Sequence, residues 1–325
     1  MAVYTKINDQ DLAGLLDAYD IGAATGLQEI AEGVENSNFI LMTETGKYIL
    51  TIYEKRVNPN DLPFFLELKT HLNAKGFSCP MPIARSDGGL ISNIKGQPAA
   101  VISFLQGASM RRPQTVHCHA FGKAMAELHL AGESFQGRRS NDLSLPAWQH
   151  MFTAMRGKCD SVFPNLERTL GGHLDDISEN WPKNLPQGVI HADLFIDNVF
   201  FINDRLSGVI DFYFACTDML AYDIGIALNA WCFEADVNFN ITKAKAILDG
   251  YQSVRPLGED EIDALPVLAR GAAVRFLLTR LHDWLHQDPG ALVRPKNPID
   301  YLRRLRFHKT ATRPEDYGIT QKAKQ

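Results

Sequence analysis

Val189–Phe212 reads VIHADLFIDNVFFINDRLSGVIDF. Within it stand His191, then Asp193 two residues on, Asn198 five residues later, and Asp211 between apolar neighbours. The runs around Asn198 and Asp211 are apolar and β-like, and Asn203-Asp204 with Gly208 make a hairpin turn between them. This reading puts Asn198 and Asp211 on adjacent strands at the floor of one cleft. Phosphoryl transfer needs such a set: a carboxylate to orient and deprotonate a hydroxyl, and oxygen ligands to hold Mg2+ against phosphates. Asp193 suits the first role, Asn198 and Asp211 the second. His191 is expected to brace the loop by hydrogen bonding.

On the N-terminal side, Asn8 or Asp9 caps a short helix through Ala18. Strand-like runs follow at Leu27–Ala31, Phe39–Thr43 and Tyr48–Tyr53, and Pro63 opens a helix with Phe64, Phe65, Leu68 and Leu72 at helical spacing. Two more strands are expected at Leu90–Asn93 and Ala99–Phe104. From Gly107 the pattern turns helical, over Val116–Leu130, Trp148–Met155, Leu166–Ser178, Ala221–Glu234, Ile241–Tyr251, Glu259–His286 and Ile299–Phe307. Gly188–Phe214 is one β-rich island within that half. The expected fold class is therefore α+β: a small N-terminal β lobe with a helix (1–106) and a larger, mainly helical C-terminal lobe (107–325).

Composition narrows the classes. The 325 residues are 45% apolar and 22% charged, which excludes a disordered chain and a disulfide miniprotein. A net charge of −5 provides no basic field, so neither nucleic acid nor a membrane surface is an expected partner. The five cysteines are widely spaced, without a C-x-x-C pair, and are expected to be reduced and half-buried. With no basic n-region, no apolar h-region and no long apolar span, a cytoplasmic protein is expected. Nothing in the sequence sets the oligomeric state.

HADLFIDN followed by IDF resembles the catalytic loop and metal strand of the kinases related to aminoglycoside phosphotransferases and choline kinases, which have a protein-kinase-like two-lobed fold. The resemblance implies Asp193 as catalytic base, Asn198 and Asp211 as Mg2+ ligands, and ATP as phosphoryl donor. Tyr222-Asp223-Ile224-Gly225 resembles the stretch after the metal strand, where Asp223 is expected to brace the loop; His129 matches a core position. EGVENSNF, GKYILTIYEKR, the LPFF helix and RFLLTRLHDW together resemble the homoserine kinases of this fold, over about residues 3–308.

Two features depart from the protein kinases. The phosphate loop holds one glycine, Gly33, so backbone amides and the short side chains of Asn36, Ser37 and Asn38 are expected to cover the phosphates as a nest. Thr51 occupies the strand position of the usual phosphate-binding Lys, leaving Lys55, Arg56, or Mg2+ with backbone donors to neutralise charge, and Glu67 without a certain partner. Adenine is expected at the connector, on the backbone of Ser103 and Leu105, between Ile49 and Val101. An L-homoserine acceptor needs a cation for its carboxylate. Arg275 is the first choice over Arg280, for which pairing with Asp283 or another structural acid is the alternative reading, and Asn229 and Trp231 are expected pocket walls. A choline-type acceptor would use Trp231 and Trp284 as an aromatic cage instead. Ethanolamine, a sugar or an aminoglycoside as acceptor on the same fold, and a regulatory pseudokinase, are the remaining alternatives.

Overall fold

The computed structural model describes residues 5–30, 36–54, 57–287 and 295–319, grouped in two compact units. The first comprises Met1–Gly107 with Ser134–Arg139 and Ser207–Tyr213; the second comprises Ala108–Glu133, Ser140–Leu206 and Phe214–Gln325. The first unit is thus not one contiguous stretch: the segment carrying Asp211 belongs to it.

In the first unit, Asn8 caps α1 (Asp9–Leu16) and exchanges side-chain-to-backbone bonds with Asp11, both 2.8 Å. Then come β1 (Ala24–Glu29), β2 (Ser37–Thr43), β3 (Lys47–Ile52), α2 (Leu62–Ala74), β4 (Ser92–Ile94) and β5 (Gln97–Ser103). The five strands form an antiparallel sheet in the order β1-β2-β3-β5-β4. Burial alternates along β2, as the two-residue period of a half-buried strand requires. Phe39 pairs with Leu50 and Leu50 with Val101, and these residues pack with Leu12, Leu15 and Leu16 of α1.

The second unit contains β6 (Ala108–Ser109), α3 (Thr115–Gly132), α4 (Leu145–Met155), α5 (Leu166–Asn180), β7 (Gln187–Ile190), β8 (Val199–Ile202) and the start of β9 (Arg205–Val209). β10 (Cys216–Met219), α6 (Leu220–Trp231), α7 (Ile241–Gln252), α8 (Glu259–Leu285) and α9 (Ile299–Thr310) follow. All twelve residues of α6 are buried, which is why LAYDIGIALNAW carries no charged face. Helices α3 and α7 meet backbone to backbone at two glycines. A Cβ on Gly122 would lie 2.0 Å from the Ile247 carbonyl oxygen, and one on Gly250 would lie 2.1 Å from that of His119.

Element bounds shift by a few residues from the sequence reading, and three expectations change. The five cysteines are fully buried, each at most 5% exposed, because their neighbours are core helices and strands. Asn198 lies in a 3-10 turn over Ile196–Asn198, and Asp211 lies beyond the end of β9 with φ +65°. Neither is on a strand. The turn between β8 and β9 is as expected: Asn203 and Asp204 both have positive φ, the two-residue turn matching strand twist.

Candidate functional site

In the second unit the candidate residues stand on the loop after β7. His191 is buried, and its Nδ1 accepts the Asp193 N–H at 3.3 Å. Ala192 takes φ +60°, a left-handed conformation that costs an alanine about 1 kcal/mol. What holds it is the Asp223 carboxylate of α6, which accepts the His191 N–H and the Ala192 N–H, both at 2.8 Å. Asp223 is 0% exposed and is held in turn by His129 Nε2 at 3.2 Å. His129 Nδ1 lies 2.7 Å from the Tyr251 hydroxyl, to which Arg255 donates at 3.1 Å, and Arg255 pairs with Glu261 at 3.0 Å. One buried polar chain thus runs through α6, α3, α7 and the start of α8 to the strained turn. Asp223 and His129 act as loop supports, as the sequence suggested.

Asp193 is half-buried. Asn198 Nδ2 donates to its carbonyl at 2.8 Å and to its carboxylate at 3.1 Å. The amide group is thereby oriented, and Oδ1 remains as its oxygen donor.

The residues chosen as acceptor walls have other duties. Trp231 is 1% exposed, stacks on Phe121 at 4.1 Å and donates to the Leu194 carbonyl at 2.9 Å, so it supports the loop and cannot line an aromatic cage. Asn229 is 0% exposed. Its Nδ2 donates to the Gly225 and Ala269 carbonyls at 2.9 and 2.8 Å, and its Oδ1 faces His308 Nε2 at 3.1 Å. It ties α6, α8 and α9 together and offers no free face. Arg275 is 1% exposed, donates to the Ala192 carbonyl at 2.6 Å and stacks on Phe276 at 4.6 Å. Its head group is directed at the loop turn, a different task from gripping a carboxylate.

The first unit carries its own candidate residues, Asp211 among them. Val209 N–H donates to the Ser78 carbonyl at 3.1 Å and Ser207 Oγ to the Gln106 carbonyl at 2.5 Å, which fixes the strand leading to Asp211. Gly208 is required there: a Cβ would lie 2.7 Å from the Ser78 carbonyl oxygen. The Asp211 side chain is exposed. Two residues on, the Tyr213 hydroxyl lies 3.2 Å from that of Tyr53, and Lys69 of α2 stands over the Tyr213 ring at 5.4 Å. Lys69 is 4% exposed. Burial pushes its ammonium down to about 8, while the charges of Cys79 and Asp211 oppose that shift. Sequence reading missed this lysine, whose only signal was its place in the stripe Phe65, Leu68, Lys69, Leu72.

Gly33, Lys55 and Arg56 lie outside the described residues. The other expected phosphate-loop residues are strand or its edge. Ser37 and Asn38 pair with Ile52 and Thr51, and the Ser37 hydroxyl donates to Glu54 at 2.6 Å. Asn36 is 4% exposed and accepts from the Glu54 N–H at 3.4 Å. Asn38 Oδ1 accepts from Thr51 at 2.9 Å, so the threonine at the lysine position is consumed locally. These side chains are structural rather than a nest. At the connector, the Ser103 N–H is spent on Met81 O at 2.8 Å, whereas Leu105 is half-buried beyond the end of β5. Val101 belongs to the core against α1. The opposite sheet face carries the pair Ile49 and Ile102, so Ile102 replaces Val101 beside Ile49.

Among the described residues no three His, Cys, Asp or Glu side chains converge as a metal cage. An open depression of about 700 Å³ lined by Phe152, Arg156, Glu167 and Asp175 contains none of the site residues.

Comparison with known proteins gives a consistent picture. The phosphotransferase enzyme family model matches residues 26–257. The homoserine kinase of Xanthobacter autotrophicus is 55% identical over 98% of this chain and 99% of its own, and that of Brucella anthropi is 55% identical over 99% and 98%. Among solved structures, an amicoumacin kinase in complex with AMP-PNP and Ca2+ superposes with a TM-score of 0.72 at 14% identity, covering 95% of each chain. That last likeness shows the fold, which is protein-kinase-like.

Proposed function

Because this chain belongs to the phosphotransferase enzyme family and, within it, to the homoserine kinases, we propose that it transfers the γ-phosphoryl group of ATP to L-homoserine. The products are ADP and O-phospho-L-homoserine, the ester used for threonine synthesis. The observation that carries the chemistry is the Asp193–Asn198 pair on a loop locked by Asp223.

Asp193 orients the acceptor hydroxyl. Its oxygen forms the new bond to the γ-phosphorus, the bond from that phosphorus to the β,γ-bridging oxygen breaks with its electron pair leaving on ADP, and the hydroxyl proton passes to the Asp193 carboxylate. Most of the acceleration comes from positioning, since the phosphoryl group needs little covalent help. Asn198 holds the carboxylate in place through its NH2. An amide oxygen and an exposed carboxylate, from Asn198 and Asp211, are the hard donors that suit Mg2+, which commonly takes one or two carboxylates plus phosphate oxygens. Bound there, Mg2+ would neutralise charge on the phosphates.

The test is ADP release from MgATP with L-homoserine, choline, ethanolamine and kanamycin as acceptors. Selective turnover of L-homoserine is expected, with Asp193→Asn lowering kcat by about 1000-fold or more while ATP still binds. Turnover of another acceptor alone would overturn the substrate assignment. An Asp193→Asn enzyme with near-normal kcat would overturn the base.

A further inference from the structure

Helices α8 and α9 place two arginines against one tyrosine. The Arg280 and Arg304 guanidiniums each stand 4.5 Å from the centroid of the Tyr301 ring. Tyr301 is 0% exposed, yet its hydroxyl has no hydrogen-bond partner among the described residues, and neither has the buried Nε of Arg304. Arg304 is anchored by one bond to the Asn229 carbonyl at 2.6 Å, and among the described residues Arg280 donates only over a long 3.5 Å approach to the Asn297 carbonyl.

Other arginines of this unit are matched with acids: Arg255 with Glu261 and Arg270 with Asp176. Neither Arg280 nor Arg304 is in an ion pair among the described residues, although Asp197 and Asp300 are close enough to act on Arg280. Two like charges and a buried, unmatched hydroxyl converging without a carboxylate partner are costly unless an anion joins them. The cluster adjoins the catalytic loop: Tyr301 packs on Phe276 at 5.3 Å, Phe276 on Phe195 at 4.9 Å, and the Asp193 charge acts on the Tyr301 hydroxyl.

We propose that Arg280 and Arg304, stacked on Tyr301, bind the carboxylate of the acceptor, with the Tyr301 hydroxyl donating a further hydrogen bond. This rests on the reading that the acceptor is a hydroxy amino acid. It reassigns the clamp from Arg275, whose head group supports Ala192, to the next arginine along α8 and its partner on α9. Orientation of the acceptor then comes from its carboxylate end, leaving the hydroxyl to Asp193.

The experiment compares L-homoserine with 3-amino-1-propanol, which is homoserine without its carboxylate, using the full chain. Wild-type enzyme is expected to prefer L-homoserine strongly in kcat/KM. In Arg280→Gln that preference falls by about 100-fold, through KM for L-homoserine, and KM for ATP moves less than about twofold. Tyr301→Phe, which deletes only the hydroxyl, lowers the preference by about 10-fold. Arg280→Lys keeps the charge without the fork and serves if Arg280→Gln does not fold; its expected loss is also about 10-fold. Equal losses for both acceptors, or an intact preference in these variants, would overturn the carboxylate site while leaving the kinase assignment standing. Wild-type enzyme inert toward L-homoserine would overturn the function reading, and this site with it.

Discussion

Asp223→Asn is the sharpest test of how the loop is held. The carboxylate accepts two backbone N–H groups at 2.8 Å and the His129 ring at 3.2 Å, with no exposure to solvent. Asparagine keeps one acceptor oxygen but turns an NH2 toward donors on its other side. One charge-assisted bond is lost, worth about 1.5–3 kcal/mol, and a buried N–H is left without an acceptor at about 1–3 kcal/mol. The expected destabilisation is thus about 3–5 kcal/mol, near the upper end for a single substitution. Because one of the two amides belongs to Ala192, whose φ of +60° depends on that contact, relaxation moves the residue next to Asp193. Urea unfolding should give the stability loss, and steady-state kinetics should show kcat falling by about 100-fold with KM for ATP nearly constant. A variant as stable as wild type, with kcat within about twofold, would refute the account of the loop.

Trp231→Phe removes the bond to the Leu194 carbonyl but keeps the stack on Phe121. It should cost about 1–2 kcal/mol and lower kcat more than it raises either KM. Gly122→Ala forces α3 and α7 apart and should cost about 3 kcal/mol in urea unfolding, whereas Gly172→Ala, in α5 with nothing within 4 Å of the new Cβ, should gain about 0.5–1 kcal/mol. His308 is buried and neutral, and desolvation, reinforced by Arg304 and Arg270, pushes its imidazole down to about 3. Between about pH 6.5 and 3 the unfolded chain therefore binds a proton that the folded chain refuses. Stability should fall as pH falls, by about 2 kcal/mol between pH 7 and 5 from this residue, and His308→Gln should flatten that slope in urea titrations.

The parts of the fold that could be read in the sequence are those whose cause is local. Helix α6 is apolar apart from Tyr222, Asp223 and Asn229, α2 has Phe65, Leu68 and Leu72 at helical spacing, and the β8–β9 turn has two residues that tolerate positive φ. Local spacing also brought out Asp193 and Asn198, because the bond between them spans five residues. Misreadings arose where a distant partner decides the role. Asn229 on an otherwise apolar helix can face a ligand or a buried neighbour, and His308, 79 residues away, settles it. Lys69 passes for a surface charge until Tyr213 and Asp211 arrive beside it from the far end of the β-rich island.

The arginines illustrate the same point and turn it into a rule for this chain. A buried guanidinium needs acceptors, so the informative question about each is which acceptor the protein already provides. Arg255 has Glu261 and the Tyr251 hydroxyl, and Arg275 has the Ala192 carbonyl. Each of these is thereby committed to shape. Arg280 has one long contact, and Arg304 keeps an unmatched Nε against an unmatched tyrosine hydroxyl. In YLRRLRFH the sequence shows three arginines of equal standing, and only the three-residue step from Tyr301 to Arg304 puts one of them on the tyrosine's face of the helix. An unmatched Nε alone does not separate them, since Arg275 has one too. Arg275 is 1% exposed and holds the Ala192 turn, whereas Arg280 and Arg304 are half-buried and share an unmatched tyrosine hydroxyl, which is why the acceptor's carboxylate is sought at Arg280 and Arg304.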